Sequence, residues 1–288
     1  MKILALLLSI FLAASSLATA GTLAQFRTRF GDIEVELYDQ DKPVTVQNFI
    51  RYVKSGAYTN MFLHRCIPGF IVQGGGFSTT NQLATNLFTH FDYVPNFGTI
   101  TNEFNIGPRL SNIYGTIAMA KAGGDPNSAS SQWFFNLSDN SANLDNQNGG
   151  FTVFGRLVRG TNVLNIFNAI SQANGIVDLR KIYGTTNSLT SLFSDLPVLY
   201  LGQSAPNYND LIYVDLSLLN VQIRPFGNGF REISWNSVSN KVNTVEFTTN
   251  FPPVWQSLSA TNGTGETFKL VDSSVTNAQR FYRVRVDY

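Results

Sequence analysis

Residues 63–76 read LHRCIPGFIVQGGG, and this stretch decides which fold we predict. Two short apolar runs lie on either side of Pro68-Gly69, a dipeptide typical of a turn between strands. Arg65 and Gln73 are eight residues apart across this turn, so strand alternation can place both side chains on one face. A cation, an amide and the ring of Phe70 on one apolar surface suit a neutral, carbonyl-bearing, hydrophobic ligand better than a metal ion or a phosphate.

The composition of the chain argues against several classes of partner. Of its 288 residues, 43% are hydrophobic and 14% are charged, which is enough for one sizeable core and a small second domain. The net charge is +1, which gives no electrostatic reason to expect nucleic acid or an acidic membrane surface. Cys66 is the only cysteine, and we interpret it as a buried, inert thiol because it lies in an apolar run.

The first twenty residues predict a signal peptide. Met1-Lys2 is a positively charged start, residues 3–14 are apolar, and Ala18-Thr19-Ala20 has the small-x-small pattern of a cleavage site. The apolar run is shorter than the roughly 20 residues that a helix needs to span a bilayer, which favours cleavage over a retained anchor. We therefore predict export to the periplasm, the cell surface or the medium, without stable membrane insertion.

The remaining pattern predicts a mainly β protein with two helices. Apolar or alternating runs predict strands at residues 23–30, 33–37, 98–101, 115–120, 131–137, 151–158, 196–200 and 211–219, besides those of the opening stretch. Apolar residues at helical spacing predict one helix from Pro43 to Gly56 and a second over 163–170. Many strands with two helices are typical of a closed or nearly closed antiparallel barrel with a helix at each end. Residues 172–208 lack clear periodicity, so they could cover a barrel edge or be a simple insertion.

The sequence pattern changes near Arg224. Residues 231–235, 244–248 and 281–286 alternate strictly between turn-rich segments, which predicts a separate small all-β module. We therefore divide the chain into a signal peptide (1–20), a main domain (21–222) and an accessory module (223–288). The module could bind a surface polymer or a protein partner. Trp235 and Trp255 could form an exposed platform, although at least one is expected in the module core.

Residues 62–75 closely resemble the signature of the cyclophilin family of peptidyl-prolyl cis-trans isomerases. Two further blocks agree with the family in order and spacing: residues 115–120 followed by 131–135, and Val153-Phe154-Gly155. The resemblance covers residues 22–220 and leaves the C-terminal module outside. It implies a closed eight-stranded antiparallel barrel capped by two helices, and rotation about X-Pro bonds in proline-containing polypeptides without a metal, nucleotide or organic cofactor.

The resemblance also implies roles for particular residues. Arg65 would donate to the proline nitrogen, Gln73 would orient the arginine, and Phe70 completes the catalytic group. The implied substrate-binding residues are Ile71, Ala120, Lys121, Ala122, Gln132, Phe134, Leu144 and Phe151.

The chain departs from the best-known family members at three positions. Phe151 stands in place of a histidine, and Lys121, in place of an asparagine, could bias substrate choice towards acidic or neutral peptides. Asn143 stands in place of the tryptophan that donates to cyclosporin, so we expect weak inhibition by that ligand.

Each residue also has a plainer interpretation. Phe70 and Phe134 alone would more often belong to a core, and Arg65 alone would more often be a surface charge. His64 has His90 as the only other histidine of the chain, which makes a metal site improbable and a structural role the better interpretation. A non-catalytic module that grips proline segments as a chaperone or scaffold is the alternative function, but a pure binder has no reason to keep the arginine.

Overall fold

The computed structural model describes residues 22–79, 91–184, 190–199, 206–219, 221–237, 242–250, 252–264, 266–275 and 279–287. The predicted signal peptide and His90 lie outside these residues. The described strands are β1 (Leu23–Thr28), β2 (Gly31–Leu37), β3 (Arg65–Ile67), β4 (Ile71–Gly74), β5 (Phe77–Thr79), β6 (Phe91–Tyr93), β7 (Thr116–Met119), β8 (Trp133–Asn136), β9 (Val153–Arg159), β10 (Ile176–Val177), β11 (Leu196–Pro197), β12 (Asp215–Leu219), β13 (Val221–Phe226), β14 (Phe230–Asn236), β15 (Val242–Thr248), β16 (Gln256–Asn262), β17 (Thr267–Asp272) and β18 (Phe281–Asp287). The described α-helices are α1 (Pro43–Lys54), α2 (Ser141–Leu144), α3 (Thr161–Ala169) and α4 (Leu179–Tyr183).

Eight strands form one curled antiparallel sheet in the order β12-β1-β2-β9-β7-β8-β4-β3. The mainly β prediction is confirmed, but the sheet is an open half-barrel and the predicted complete closure is wrong. Its edge strands β12 and β3 are not neighbours in the ladder, although Leu63 N donates to Ile212 O at 2.9 Å just before them. The outer edge of β3 has another partner, because Cys66 N donates to Asp195 O at 2.8 Å.

That partner belongs to the segment whose role the sequence left open. β10 and β11 form a small hairpin-like pair, and this segment builds an apolar cluster of its own against Phe62 and Phe77. Its buried members include Val177, Phe193 and Leu196. An uncovered edge strand exposes unpaired amides that invite wrong pairing, so the segment protects the edge formed by β3.

The two predicted helices are α1 and α3, and both pack on the main core. α1 buries Phe49 and Ile50, and α3 buries Leu164 and Phe167. The N-terminus of α1 is capped from a distance: the Glu103 carboxylate accepts from the backbone of residues 44 and 45 at 3.1 and 2.7 Å. A carboxylate at this position satisfies free amides and complements the helix dipole. No described helix is long and apolar enough to cross a membrane.

The C-terminal strands form two three-stranded sheets, β13-β14-β17 and β16-β15-β18. Ile233, Trp235 and Val245 are buried between them, and Trp235 is only 3% exposed. Trp235 is therefore a core residue, while Trp255 is half-buried with the Arg283 guanidinium 4.3 Å from its ring centroid. The predicted boundary between residues 222 and 223 lies within β13, and the division of the chain into domains stays a prediction.

Candidate active site

Directly paired residues of five strands form one row on the outer face of the main sheet. Arg65 pairs with Gln73, Gln73 with Phe134, Phe134 with Ala118, and Ala118 with Val153. Opposite residues of an antiparallel ladder point to the same face, so the five side chains share one surface. The prediction that Arg65 and Gln73 face the same way is confirmed. We call this set the catalytic row.

The polar end of the catalytic row is a chain of side-chain hydrogen bonds. Arg65 Nη1 donates to Gln73 Oε1 at 3.5 Å, and Gln73 Nε2 donates to Gln132 Oε1 at 2.7 Å. All three side chains are half-buried. The contact of Arg65 is long and uses one of five guanidinium donors, so the group is oriented while donors stay available to a ligand.

His64 supports this polar chain from the buried side. Its side chain lies beside that of Gln132 and edge-on to Phe77, with ring centroids 4.9 Å apart. Burial, reinforced by the charge of Arg65, lowers the pKa of His64 to about 3, so the imidazole is neutral at physiological pH. Its Nδ1 has no hydrogen-bond partner among the described residues. This geometry agrees with the structural role expected from the sequence.

A glycine permits the close approach of Gln132 to this chain. Gly75 follows β4 with φ +80°, and a Cβ atom there would lie 2.4 Å from Ser131 O. Any other residue would push apart the two segments that carry Gln73 and Gln132, because real Cβ atoms do not approach backbone so closely. The glycine-rich end of the opening stretch is therefore a turn that brings the polar groups together.

The apolar end of the catalytic row lies in a cluster separate from the main core. The buried members of this cluster are Ile71, Ala118, Phe134, Leu144 and Val153, and Tyr38, Phe70, Leu110, Ala120 and Phe151 pack on it half-buried. The rings of Phe134 and Phe151 meet edge to face with centroids 5.9 Å apart. The structure thus brings together the predicted apolar residues in one aromatic-walled socket, beside the polar chain.

Residues 120–122 follow β7 and border the socket. Ala120 N donates to Gln132 O at 2.9 Å, which ties this segment to the polar chain. Ala122 is already paired, because its N–H donates to Ser128 Oγ and its carbonyl accepts from Asn148 Nδ2. The Ala120 carbonyl and both backbone groups of Lys121 have no protein partner among the described residues. They are placed to pair with an extended peptide.

The side chain of Lys121 is hydrogen-bonded to backbone groups of the protein. Its Nζ donates to the carbonyls of Asn148 and Gly150, both at 2.7 Å. An ammonium group held by two carbonyls is a poor selector of substrate charge. This contact has no signature in the sequence, because the accepting groups are backbone atoms almost thirty residues away.

Other reactive groups of the described chain lie outside this arrangement. Cys66 is on the opposite, core face, where burial raises the pKa of its thiol and Sγ contacts Phe167 O at 3.5 Å. The described residues contain no cluster of side chains suited to a metal ion. A cavity of about 530 Å³ lies between the main sheet and the C-terminal module, lined by residues such as Glu34, Leu219 and Arg283. It shares no residue with the catalytic row.

Comparison with known proteins assigns the main sheet to a family. A family described as cyclophilin type peptidyl-prolyl cis-trans isomerase matches residues 23–185, more than half of the chain. The chain is 41% identical over 160 residues to peptidyl-prolyl cis-trans isomerase A of Dickeya dadantii, covering 54% of this chain and 76% of that protein. It is 36% identical over 180 residues to isomerase B of Escherichia coli, covering 61% of this chain and 92% of that protein.

A solved structure is also similar. A cyclophilin type isomerase of Cryptosporidium parvum, determined in the presence of the dipeptide Ala-Pro, covers 67% of this chain and 96% of its own at 23% identity, with a TM-score of 0.43. The family assignment rests on the family match, whose range of residues 23–185 contains the strands of the catalytic row, and on the curated relatives. The chain belongs to the cyclophilin type family and is a peptidyl-prolyl cis-trans isomerase that acts on proline-containing peptides.

Proposed function

We propose that Arg65, Gln73 and Phe70 are the catalytic group of this isomerase. The observation that carries the proposal is the direct register of Arg65, Gln73 and Phe134 on three adjacent strands. This register sets a cation and an amide beside an aromatic socket on an open face of the sheet. A prolyl peptide needs both, because its ring is apolar and its amide is polar.

The chemistry of rotation explains the need for a cation. An X-Pro bond isomerises slowly because amide resonance opposes rotation, with a barrier of roughly 20 kcal/mol. In the twisted transition state the proline nitrogen is pyramidal and holds a localised lone pair. A donor aimed at that nitrogen binds the transition state more strongly than either planar state, which lowers the barrier.

Arg65 suits this role because a guanidinium stays protonated at any relevant pH and supplies several donors. Gln73 accepts from it and is itself held by Gln132. The arginine is therefore preorganised before substrate binds, and no proton has to be transferred. The reaction as proposed uses neither a general base nor a nucleophile.

The socket and the neighbouring backbone complete the substrate site. We propose that the proline ring enters the cluster around Ile71, Phe134 and Leu144, with Phe70 and Phe151 at its rim. The residue before proline would lie along residues 120–122 and Gln132, where unpaired backbone groups support strand-like pairing. Ala120 and Lys121 would contribute their free backbone groups, while Ala122, whose backbone is already paired, would border the groove through its methyl group.

A coupled prolyl-isomerisation assay on the full-length protein tests the role of Arg65. Arg65→Ala should lower kcat/KM by about 10²- to 10³-fold, the loss seen when one preorganised donor is removed. Arg65→Lys keeps the charge but loses the planar guanidinium, so its kcat/KM should lie between those of the wild type and Arg65→Ala. Arg224→Ala, an exposed arginine of β13, is the matched control and should keep the wild-type rate. Wild-type activity in Arg65→Ala, with an unchanged melting temperature, would contradict the assignment.

We further propose that the protein assists the folding of exported proteins outside the cytoplasm. The support is the sequence pattern of residues 1–20, with its charged start, apolar run and small-x-small site. Mass spectrometry of the protein purified from its natural host should find a mature chain that begins at Gly21. A full-length chain in the cytoplasmic fraction would contradict export.

For the C-terminal module we propose binding to a surface polymer or a protein partner, which would set location rather than rate. Its support is that the family match ends at residue 185 and that Ile223 and Phe226 of β13 are 47% and 49% exposed. The double substitution Ile223→Ser and Phe226→Ser should leave isomerase activity unchanged but release the protein from the cell-surface fraction. Unchanged fractionation would contradict this role.

A further inference from the structure

The loop between α2 and β9 has an unusual backbone. Asn148, Gly149 and Gly150 have φ values of +50°, +74° and +78°, so three successive residues are left-handed. Asparagine and glycine tolerate this region best, but a consecutive run is not an intrinsically favoured state. At Gly150 a Cβ atom would lie 2.1 Å from Phe104 Cδ1, so the loop also packs tightly. Its conformation must be held by surrounding groups.

Two side chains supply most of that support. Lys121 Nζ donates to Asn148 O and Gly150 O, both at 2.7 Å. Asn102 Nδ2 donates to Gly149 O at 2.9 Å and to Gly150 O at 3.0 Å. The carbonyls of all three left-handed residues therefore converge on one ammonium and one amide. Charge-assisted hydrogen bonds are stronger than neutral ones, so Lys121 stabilises the loop more than Asn102 does.

The loop stabilised in this way leads directly into Phe151, which forms one wall of the socket. Phe151 follows Gly150 directly, its N–H donates to Leu144 O at 3.0 Å, and its ring meets that of Phe134. Lys121 Nζ lies 4.6 Å from the centroid of the Phe151 ring, within range of a cation–π contact. One lysine thus touches the loop backbone and the aromatic rim, while its own backbone borders the groove.

We propose that Lys121 is a positioning residue that clamps the 148–151 loop and so holds the aromatic wall of the socket in place, an inference that rests on the socket proposed above. In this role the lysine acts through Phe151 and Leu144 rather than by contact with substrate. It replaces the earlier expectation that its charge selects among substrates. The clamp joins the two sides of the groove, so its loss widens the socket without removing the arginine.

The clamp has a pH limit. Burial lowers the pKa of Lys121 to about 8, and the nearby Asp125 carboxylate opposes this shift. Residues 146–152 contain no titratable side chain, and the carboxylate of Glu103, beside Asn102, is bonded to Val44 N and Thr45. Above pH 8 the neutral amine keeps its donors but loses the charge that strengthens both carbonyl bonds and the ring contact. The wall should therefore loosen with rising pH.

Steady-state kinetics of full-length Lys121→Met, Lys121→Arg and the control Lys181→Met test the clamp. Lys181 is an exposed lysine whose Nζ donates to the Gln172 side chain, away from the groove. Lys121→Met should raise KM about tenfold, the equivalent of one charge-assisted hydrogen bond, with kcat within about twofold. The wild type should show a rise in KM above pH 8, which Lys121→Arg should abolish because arginine stays charged. Lys181→Met should behave as the wild type.

A wild-type KM in Lys121→Met, or an alkaline rise in KM that persists in Lys121→Arg, would overturn the clamp. The second outcome decides the matter even if Lys121→Met does not fold. These failures are distinct from failure of the catalytic assignment, because Arg65→Ala tests that through kcat/KM at neutral pH. If Lys121→Met keeps the wild-type KM while Arg65→Ala loses activity, the clamp is wrong but the proposed role of Arg65 is still supported.

Discussion

Phe134 and Phe135 are chain neighbours of the same type and are equally buried, 2% and 1% exposed, yet they belong to different parts of the molecule. Phe135 lies on the inner face of β8, in the main core with Trp133 and Phe26. Phe134 lies on the outer face, in the small cluster of the socket. Strand β4 alternates in the same way, with Val72 in the core and Ile71 in the socket cluster.

The two faces differ in what completes them. The inner cluster is closed by α1 and α3 and by every strand of the sheet, so its apolar area is removed from water within the protein. The outer cluster is bordered by half-buried residues and by a chain of polar side chains. Fractional burial alone therefore does not distinguish core from site. What distinguishes them is the polar border and the half-buried rim of the smaller cluster.

The largest expected effect separates the two phenylalanines. Phe135→Ala should lower the free energy of unfolding by about 3–5 kcal/mol, because it leaves a cavity inside a close-packed core. Phe134→Ala should cost less stability, since its cluster is smaller and is bordered by half-buried residues that can adjust, but should lower kcat/KM strongly by removing the socket wall. Urea unfolding and the coupled assay measure both quantities. Equal losses of stability with equal activities would remove the distinction between the faces.

The second-largest expected effect concerns the polar border of the outer face. Gln73→Leu should lower kcat/KM about 10- to 100-fold, corresponding to about 1.5–3 kcal/mol for a hydrogen bond to a charged group. Gln222→Leu is a matched control, because Gln222 Oε1 accepts from Arg224 Nη2 at 2.8 Å on the exposed strand β13. If both variants keep the wild-type rate, Arg65 does not depend on Gln73 for its orientation.

An effect confined to acid pH follows from the neutral histidine behind the polar border. The folded-state pKa of His64 is lowered to about 3, while the unfolded chain titrates near its ordinary value of about 6.5. The unfolded state therefore binds a proton first, and stability falls as the pH drops from about 6.5 to about 3. The slope should reach about 1.4 kcal/mol per pH unit in the middle of that range. His64→Gln should remove this part of the acid limb in urea unfolding, and an unchanged limb would assign it to other groups.

The smallest effect concerns the solvated part of the outer face. Arg156 of β9 pairs with Glu36 of β2 at 2.8 Å, and its side chain is 60% exposed. An exposed ion pair contributes about 1 kcal/mol or less, so Arg156→Ala should change stability by no more than that and leave kcat/KM unchanged. A large loss of activity would show that the functional surface extends beyond the catalytic row.

Much of this arrangement could be predicted from local pattern. The Pro68-Gly69 turn and the alternation around it are enough to place Arg65 and Gln73 on one face, and the ladder confirms that placement. Helical spacing was enough for α1 and α3, because each buries one continuous apolar stripe. Short elements such as α4 and β10 were missed, since two to five residues carry too little periodicity to stand out.

What sequence determined by itself is the alternation, the turns and the set of residue types that suit a prolyl peptide. Only the tertiary structure decided which face of β8 is the core and which is the socket, because Phe134 and Phe135 are indistinguishable until neighbouring strands and helices cover one of them. It also decided that Asp195 pairs with β3, where a closed barrel would have β12, and that Lys121 binds carbonyls 27 and 29 residues away. These outcomes depend on long-range contacts between backbone groups, which carry no residue-specific signal in the chain.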